Sequence, residues 1–100
     1  MSDELDPLIH QTTRLRLMAA LCQLEEGDWV DFTALKKELR LTDGNLGAQL
    51  VKLEETRYVR VKKGFLGRRP RTQVQATLRG RSAYASYCEA LRRIIDNTSS

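Results

Sequence analysis

The sequence predicts a mainly α-helical domain carrying one small β-hairpin, and three observations lead there. Apolar residues recur at three- and four-residue spacing in four separate stretches, as in helices with one buried face. Between the third and fourth stretches the pattern changes to alternation on both sides of a segment containing Gly and Pro, which is how a hairpin reads. The chain has 100 residues, 41% apolar and 30% charged. That suffices for one modest core in a folded domain and is too short for a two-domain enzyme.

Taken in order, the first helix is predicted from Leu8, with Pro7 in its first turn and Gly27 as its C-terminal cap. Leu15, Met18, Leu21 and Cys22 share its apolar face, whereas Arg14, Gln23 and Glu26 lie on others. Trp29-Val30-Asp31-Phe32 alternates too briefly for more than a short strand. Thr33 caps a compact second helix through Leu39, and Arg40-Leu41 makes the turn. Thr42 caps the third helix, with Asp43 placing negative charge at the positive end of its dipole. That helix runs to about Glu55, with Leu46, Leu50 and Leu53 on one buried stripe. Gly44, Ala48, Val51 and Glu55 point away from the stripe, an exposed face small enough for close approach to a partner.

Residues 58–62 and 72–76 alternate with period two, and the nine residues between them include Gly64, Gly67 and Pro70. A hairpin with a long basic tip is expected. Thr77 then caps a last helix, where Tyr84, Tyr87, Cys88, Leu91, Ile94 and Ile95 form a helical-period stripe. Residues 8–96 are thus expected to form a single domain, with residues 1–7 and 97–100 as flexible ends. A helix-turn-helix followed at once by a basic hairpin is the winged helix-turn-helix arrangement, which puts its third helix in the major groove and its wing along the backbone or minor groove.

Charge points to the same class of partner. The formal net charge is +4, but between Arg57 and Arg81 nine cations occur with no acidic residue, so that segment carries +9 and the remainder −5. A cation of this density favours a polyanion, with nucleic acid first and an anionic membrane surface second. No apolar run approaches a membrane span, and the N-terminus is acidic where a signal peptide is basic, so a cytoplasmic location is expected.

Catalysis and metal binding are not indicated. Cys22 and Cys88 have no CxxC partner and the chain has one histidine, so no metal site or cofactor is expected. His10 has no nucleophile or acid at motif spacing and reads as a surface or interface histidine. Each cysteine falls on an apolar stripe and reads as a small buried hydrophobe without a disulfide, a redox role being the other reading.

Residues 41–46, Leu-Thr-Asp-Gly-Asn-Leu, with Leu50-Val51-Lys52-Leu53-Glu54-Glu55 and Tyr58-Val59, resemble the recognition-helix signature of short MarR-like and ArsR-like regulators. Gly67-Arg68-Arg69-Pro70-Arg71-Thr72 followed by Thr77-Leu78-Arg79-Gly80-Arg81 is similar to the wing and last-helix start of small stand-alone winged-helix DNA-binding proteins. The resemblance spans about Leu8 to Ile95. It departs at Gly47-Ala48-Gln49, where relatives carry Ser followed by Arg or His, which leaves the helix short of strong base-reading side chains: either recognition leans on the wing and DNA shape, or specificity is low. Full-length MarR proteins have added dimerisation helices that this chain lacks, so an effector pocket between domains is not expected and any effector stays unassigned.

The candidate recognition helix, about 42–55, offers Thr42, Asn45, Ala48, Gln49 and Lys52. Thr42 and the helix N-terminal amides suit a phosphate, and Asn45 and Gln49 can bond adenine bidentately. The candidate wing, about 62–72, offers Lys62, Lys63, Arg68, Arg69 and Arg71, with the arginines suited to phosphate or a narrow minor groove. An ordinary solvated surface is the bland reading of both sets. The last helix is longer than a small winged core needs, so Tyr84, Tyr87, Leu91, Ile94 and Ile95, with Leu8 and Ile9 of the first helix, are candidates for a homodimer interface. The expected function is sequence-specific double-stranded DNA binding as a transcriptional regulator. A winged-helix protein-protein adaptor and a low-specificity nucleic-acid binder, of RNA or chromatin type, are the alternatives.

Overall fold

The computed structural model describes residues 5–9 and 11–98. Expectations for residues 1–4, His10 and residues 99–100 lie outside the described residues. The elements are α1 (Thr12–Cys22), β1 (Val30–Asp31), α2 (Phe32–Leu39), α3 (Asp43–Glu55), β2 (Val59–Leu66), β3 (Arg69–Ala76) and α4 (Leu78–Thr98). Their order, α1-β1-α2-α3-β2-β3-α4, is the expected winged helix-turn-helix. The three strands make one antiparallel sheet ordered β1-β3-β2, with β1 adding the Val30–Val74 and Asp31–Gln73 pairs.

The core joins the apolar faces that the periodicity singled out. Leu17, Met18 and Leu21 of α1 meet Leu35 and Leu39 of α2, Leu46, Leu50 and Leu53 of α3, and Val59, Val74 and Ala76 of the sheet. Each fully buried aliphatic side chain of this kind contributes about 1.5–3 kcal/mol over leaving it in water. The face of α3 opposite the leucines is exposed at Gly44, Ala48, Val51 and Glu55, as the helical wheel requires. Its cap is the expected one, with the Thr42 hydroxyl accepting from the Asn45 N–H at 3.1 Å.

Several boundaries differ from the sequence expectation. Helix α1 starts at Thr12 rather than Leu8, because two polar side chains cap the chain locally before it. Asp6 accepts from the Leu8 N–H at 2.9 Å and Gln11 from the Arg14 N–H at 2.9 Å, so Pro7 lies in a turn outside the helix. The helix also ends at Cys22, and Gly27 (φ +92°) turns the loop beyond it rather than capping it. The Arg81 guanidinium, on α4, donates to the carbonyls of Leu21, Cys22, Leu24 and Glu25 over 3.0–3.5 Å. A cation from the far end of the chain thus satisfies acceptors that a glycine cap was expected to serve. Helix α2 begins at Phe32, with Asp31 rather than Thr33 in the N-cap position.

The hairpin differs most. Its nine-residue basic tip is not a loop: β2 and β3 pair continuously from Val59–Ala76 out to Leu66–Arg69, and only Gly67 and Arg68 turn. Gly67 has φ +64°, the left-handed conformation that a II′ turn needs at its first central residue. Helix α4 starts where Thr77 was placed as cap, the Thr77 hydroxyl accepting from the Gly80 N–H at 2.9 Å and donating to the Arg57 carbonyl at 2.6 Å. It continues through Thr98, so Asn97 and Thr98 belong to the helix and not to a frayed end.

Candidate nucleic-acid interface

The site is the surface shared by α3 and the wing. The two border a groove of about 400 Å³ lined by Gly47, Leu50, Val51 and Glu54 from α3, Val61, Lys63 and Thr72 from the wing, and Phe32 from α2. Gly44 and Gly47 each have open space where a Cβ would stand, so no internal packing requires glycine there. Their small size leaves the helix backbone open to close approach, at about 1 kcal/mol of helix stability each.

Thr42, Asn45, Ala48 and Lys52 are exposed on α3, whereas Gln49 is half-buried and already engaged. Its carbonyl accepts from the Arg14 guanidinium at 2.8 Å and its amide donates to Asn45 at 3.2 Å. Arg14 is fixed in turn by the Leu8 carbonyl at 2.5 Å. Base reading by Gln49 therefore requires that this chain of bonds open, while Asn45 keeps its amide nitrogen available. Arg14, brought beside α3 by α1, was not foreseen; no local pattern in the sequence links positions 14 and 49. Beside the Thr42 cap, Asp43 is ion-paired with Lys36 at 2.8 Å.

On the wing the expected cations separate into two groups. Lys63, Arg68 and Arg69 are exposed and have no partner among the described residues. Arg71 is bonded through Nε to the Asp31 carboxylate at 3.0 Å, and Lys62 lies 4.3 Å from the centre of the Trp29 ring. Those two fasten the hairpin base to β1 and its preceding loop. The +9 segment likewise divides, since Arg81 is committed to the α1 carbonyls while Arg57, Arg60 and Arg79 are exposed. At the tip, Phe65 and Leu66 are exposed apolar residues beside the free cations, an adjacent pair that the charge count passed over.

The candidate dimer-interface residues, of which Leu8 and Ile9 lie in the turn before α1, are distributed unequally. Ile9 and Tyr87 are 0% and 4% exposed and fill the chain's own core, so neither is on the surface as expected. Leu8, Tyr84 and Leu91 are partly buried against that core, and Ile94 and Ile95 are exposed on the last turns of α4. Cys22 and Cys88 are free and half-buried; burial pushes the Cys22 thiol up, against the pull of Arg81. Among the described residues no helix is long and apolar enough to cross a membrane.

Comparison with known proteins agrees with this geometry. An uncharacterized protein of Methanocaldococcus jannaschii is 34% identical over 90 residues, spanning 90% of this chain and 95% of that protein. The structure described as a transcriptional regulator homologue from Pyrococcus horikoshii OT3 superposes with a TM-score of 0.83 at 28% identity, covering 93% of this chain and 89% of that one. A possible transcriptional regulator from Methanosarcina mazei Go1 shares the fold, with a TM-score of 0.62 at 19% identity over 93% and 82% of the two chains. The winged helix DNA-binding domain family matches residues 13–95. With its third helix capped at Thr42, its paired wing and this match over most of its length, the chain belongs to the winged helix DNA-binding domain family.

Proposed function

We propose that this protein is a transcriptional regulator of the MarR/ArsR-like kind that binds double-stranded DNA as a homodimer. Helix α3 enters the major groove through its small exposed face, with Thr42 at a phosphate and Asn45, Ala48, Gln49 and Lys52 toward the base edges. The wing lies on the backbone or minor groove through Lys63, Arg68 and Arg69, while Lys62 and Arg71 hold its base against Trp29 and Asp31. The observation that carries this reading is the adjacency of α3, through Gly47 and Val51, and the wing, through Lys63, across one groove, with the exposed Arg68 and Arg69 farther out on the same wing. The Pyrococcus horikoshii structure, described as a transcriptional regulator homologue, supports the regulatory assignment.

The bonds that hold Gln49 to Arg14 and Asn45 favour recognition weighted toward the wing and DNA shape over dense base contacts. Exposed Ile94 and Ile95 at the end of α4 suit pairing with a second copy, which sets two α3 helices on a two-fold site. The test is selection of bound fragments from a random duplex pool, with sedimentation of the protein alone. An enriched inverted repeat and a dimer that Ile94→Asp with Ile95→Asp dissociates are expected. Absence of any enrichment overturns the sequence-specific reading in favour of low-specificity binding, and a monomer at all concentrations overturns the dimer.

A further inference from the structure

The outer half of the wing is a paired two-stranded arm with an apolar point. Beyond the buried Val59, Val74 and Ala76 and the partly buried Val61, the strands continue as a fully paired ladder through Lys63–Thr72, Gly64–Arg71, Phe65–Pro70 and Leu66–Arg69. At about 3.3 Å per residue those four rungs carry the turn roughly 13 Å past the core. Phe65 is 73% and Leu66 64% exposed. Neighbours on a strand face opposite ways, so one face of the tip ends in Phe65 and Pro70 and the other in Leu66 and Arg69. Among the described residues nothing covers either side chain, and the outer ladder adds nothing to the core.

We propose that Phe65 and Leu66 form a wedge that enters the minor groove of duplex DNA and parts a base step there, bending the helix. The charge around the tip selects this occupant: Lys63, Arg68 and Arg69 are unpaired and flank the apolar pair, matching phosphate rails on both sides of a narrow apolar slot. Position selects it too, since the arm springs from the strand that borders α3 across the same groove. The inference rests on the DNA-binding reading: with α3 in a major groove, an arm of this reach meets the neighbouring minor groove. Inserting apolar side chains offsets the cost of unstacking by burying them, and flexible TA steps yield most readily.

The test uses the full chain with duplexes of about 30 base pairs, one carrying TA steps with 2-aminopurine at them and a fluorophore pair at its ends, the other a stiff A-tract. The comparison variant is Phe65→Ala with Leu66→Ala, whose fold is checked by circular dichroism; both positions lie outside the core. The wild type is expected to brighten 2-aminopurine, shorten the end-to-end distance and prefer the TA duplex by roughly tenfold. The variant should lose all three while retaining the wild-type salt dependence, because the cations are intact. Equal brightening and bending by the variant overturns the wedge, as does wild-type binding without bending. Failure of the wild type to bind any duplex overturns the DNA-binding reading together with the wedge. Binding to phosphatidylserine vesicles that the variant loses, with DNA bending unchanged, overturns the wedge in favour of a membrane surface.

Discussion

Arg71 and Asp31, forty residues apart, are joined by a 3.0 Å bond from Nε to the carboxylate, and this contact takes one of the wing's arginines out of the free cationic surface. It also explains why Asp31 stands at the N-cap of α2 without making a cap hydrogen bond. The pair anchors the base of the wing to the short strand that precedes the helix-turn-helix.

From this contact follows a division among the wing arginines. Arg68→Ala and Arg69→Ala should each reduce the slope of log affinity against log salt by about one for duplex DNA. Arg71→Ala should leave that slope nearly unchanged and cost at most about 1 kcal/mol of stability, as expected for a half-exposed ion pair. A salt titration of the three single variants checks this, and equal slope losses for all three would contradict it.

A second prediction concerns Gly80. A Cβ built there meets the Tyr58 carbonyl oxygen at 2.1 Å and its carbon at 2.9 Å, so α4 crosses the start of β2 at a distance only glycine permits. The obstruction is backbone, held by the Thr77 N–H bond to the same carbonyl at 3.0 Å, and cannot swing aside. Gly80→Ala should therefore destabilise the fold by about 3 kcal/mol despite alanine's better helix propensity. Urea denaturation gives the value; a midpoint at or above that of the wild type would show that α4 can shift.

The third prediction is a titration. The Tyr58 hydroxyl donates to Asp6 at 2.6 Å; burial, with that bond and the Asp6 charge, pushes the phenol up from 10 to about 12. A raised folded-state value means the protonated phenol is the form that the fold favours. Its contribution is fully present below pH 10 and is lost as pH rises from 10 through 12. Absorbance titration near 295 nm should show a late tyrosine that disappears in Tyr58→Phe. Asp6→Asn should move that step back toward pH 10. Tyr84, raised to about 12 chiefly by its bond with Cys88, leaves a second late step in both variants.

The order of elements and the helix-turn-helix follow from local residue patterns. Thr42 as cap, Glu55 as the end of α3, and Leu46, Leu50 and Leu53 as its buried stripe depend on residues within one or two turns of each other, and such local rules read directly from spacing. The charge excess after Arg57 was equally legible. Tertiary structure alone decided which of those cations stay free. Arg71 met Asp31, Lys62 met Trp29, Arg81 met the end of α1, and Arg14 met Gln49, each across thirty-three or more residues of chain. It also decided that residues 63–66 and 69–71 continue the ladder, so that Phe65 and Leu66 stand at the tip of a projecting arm. The physical reason is one of range. A cap or a stripe is satisfied by near neighbours, whereas the partner of a long charged side chain, and the water or protein around an apolar one, are set only when distant segments pack together.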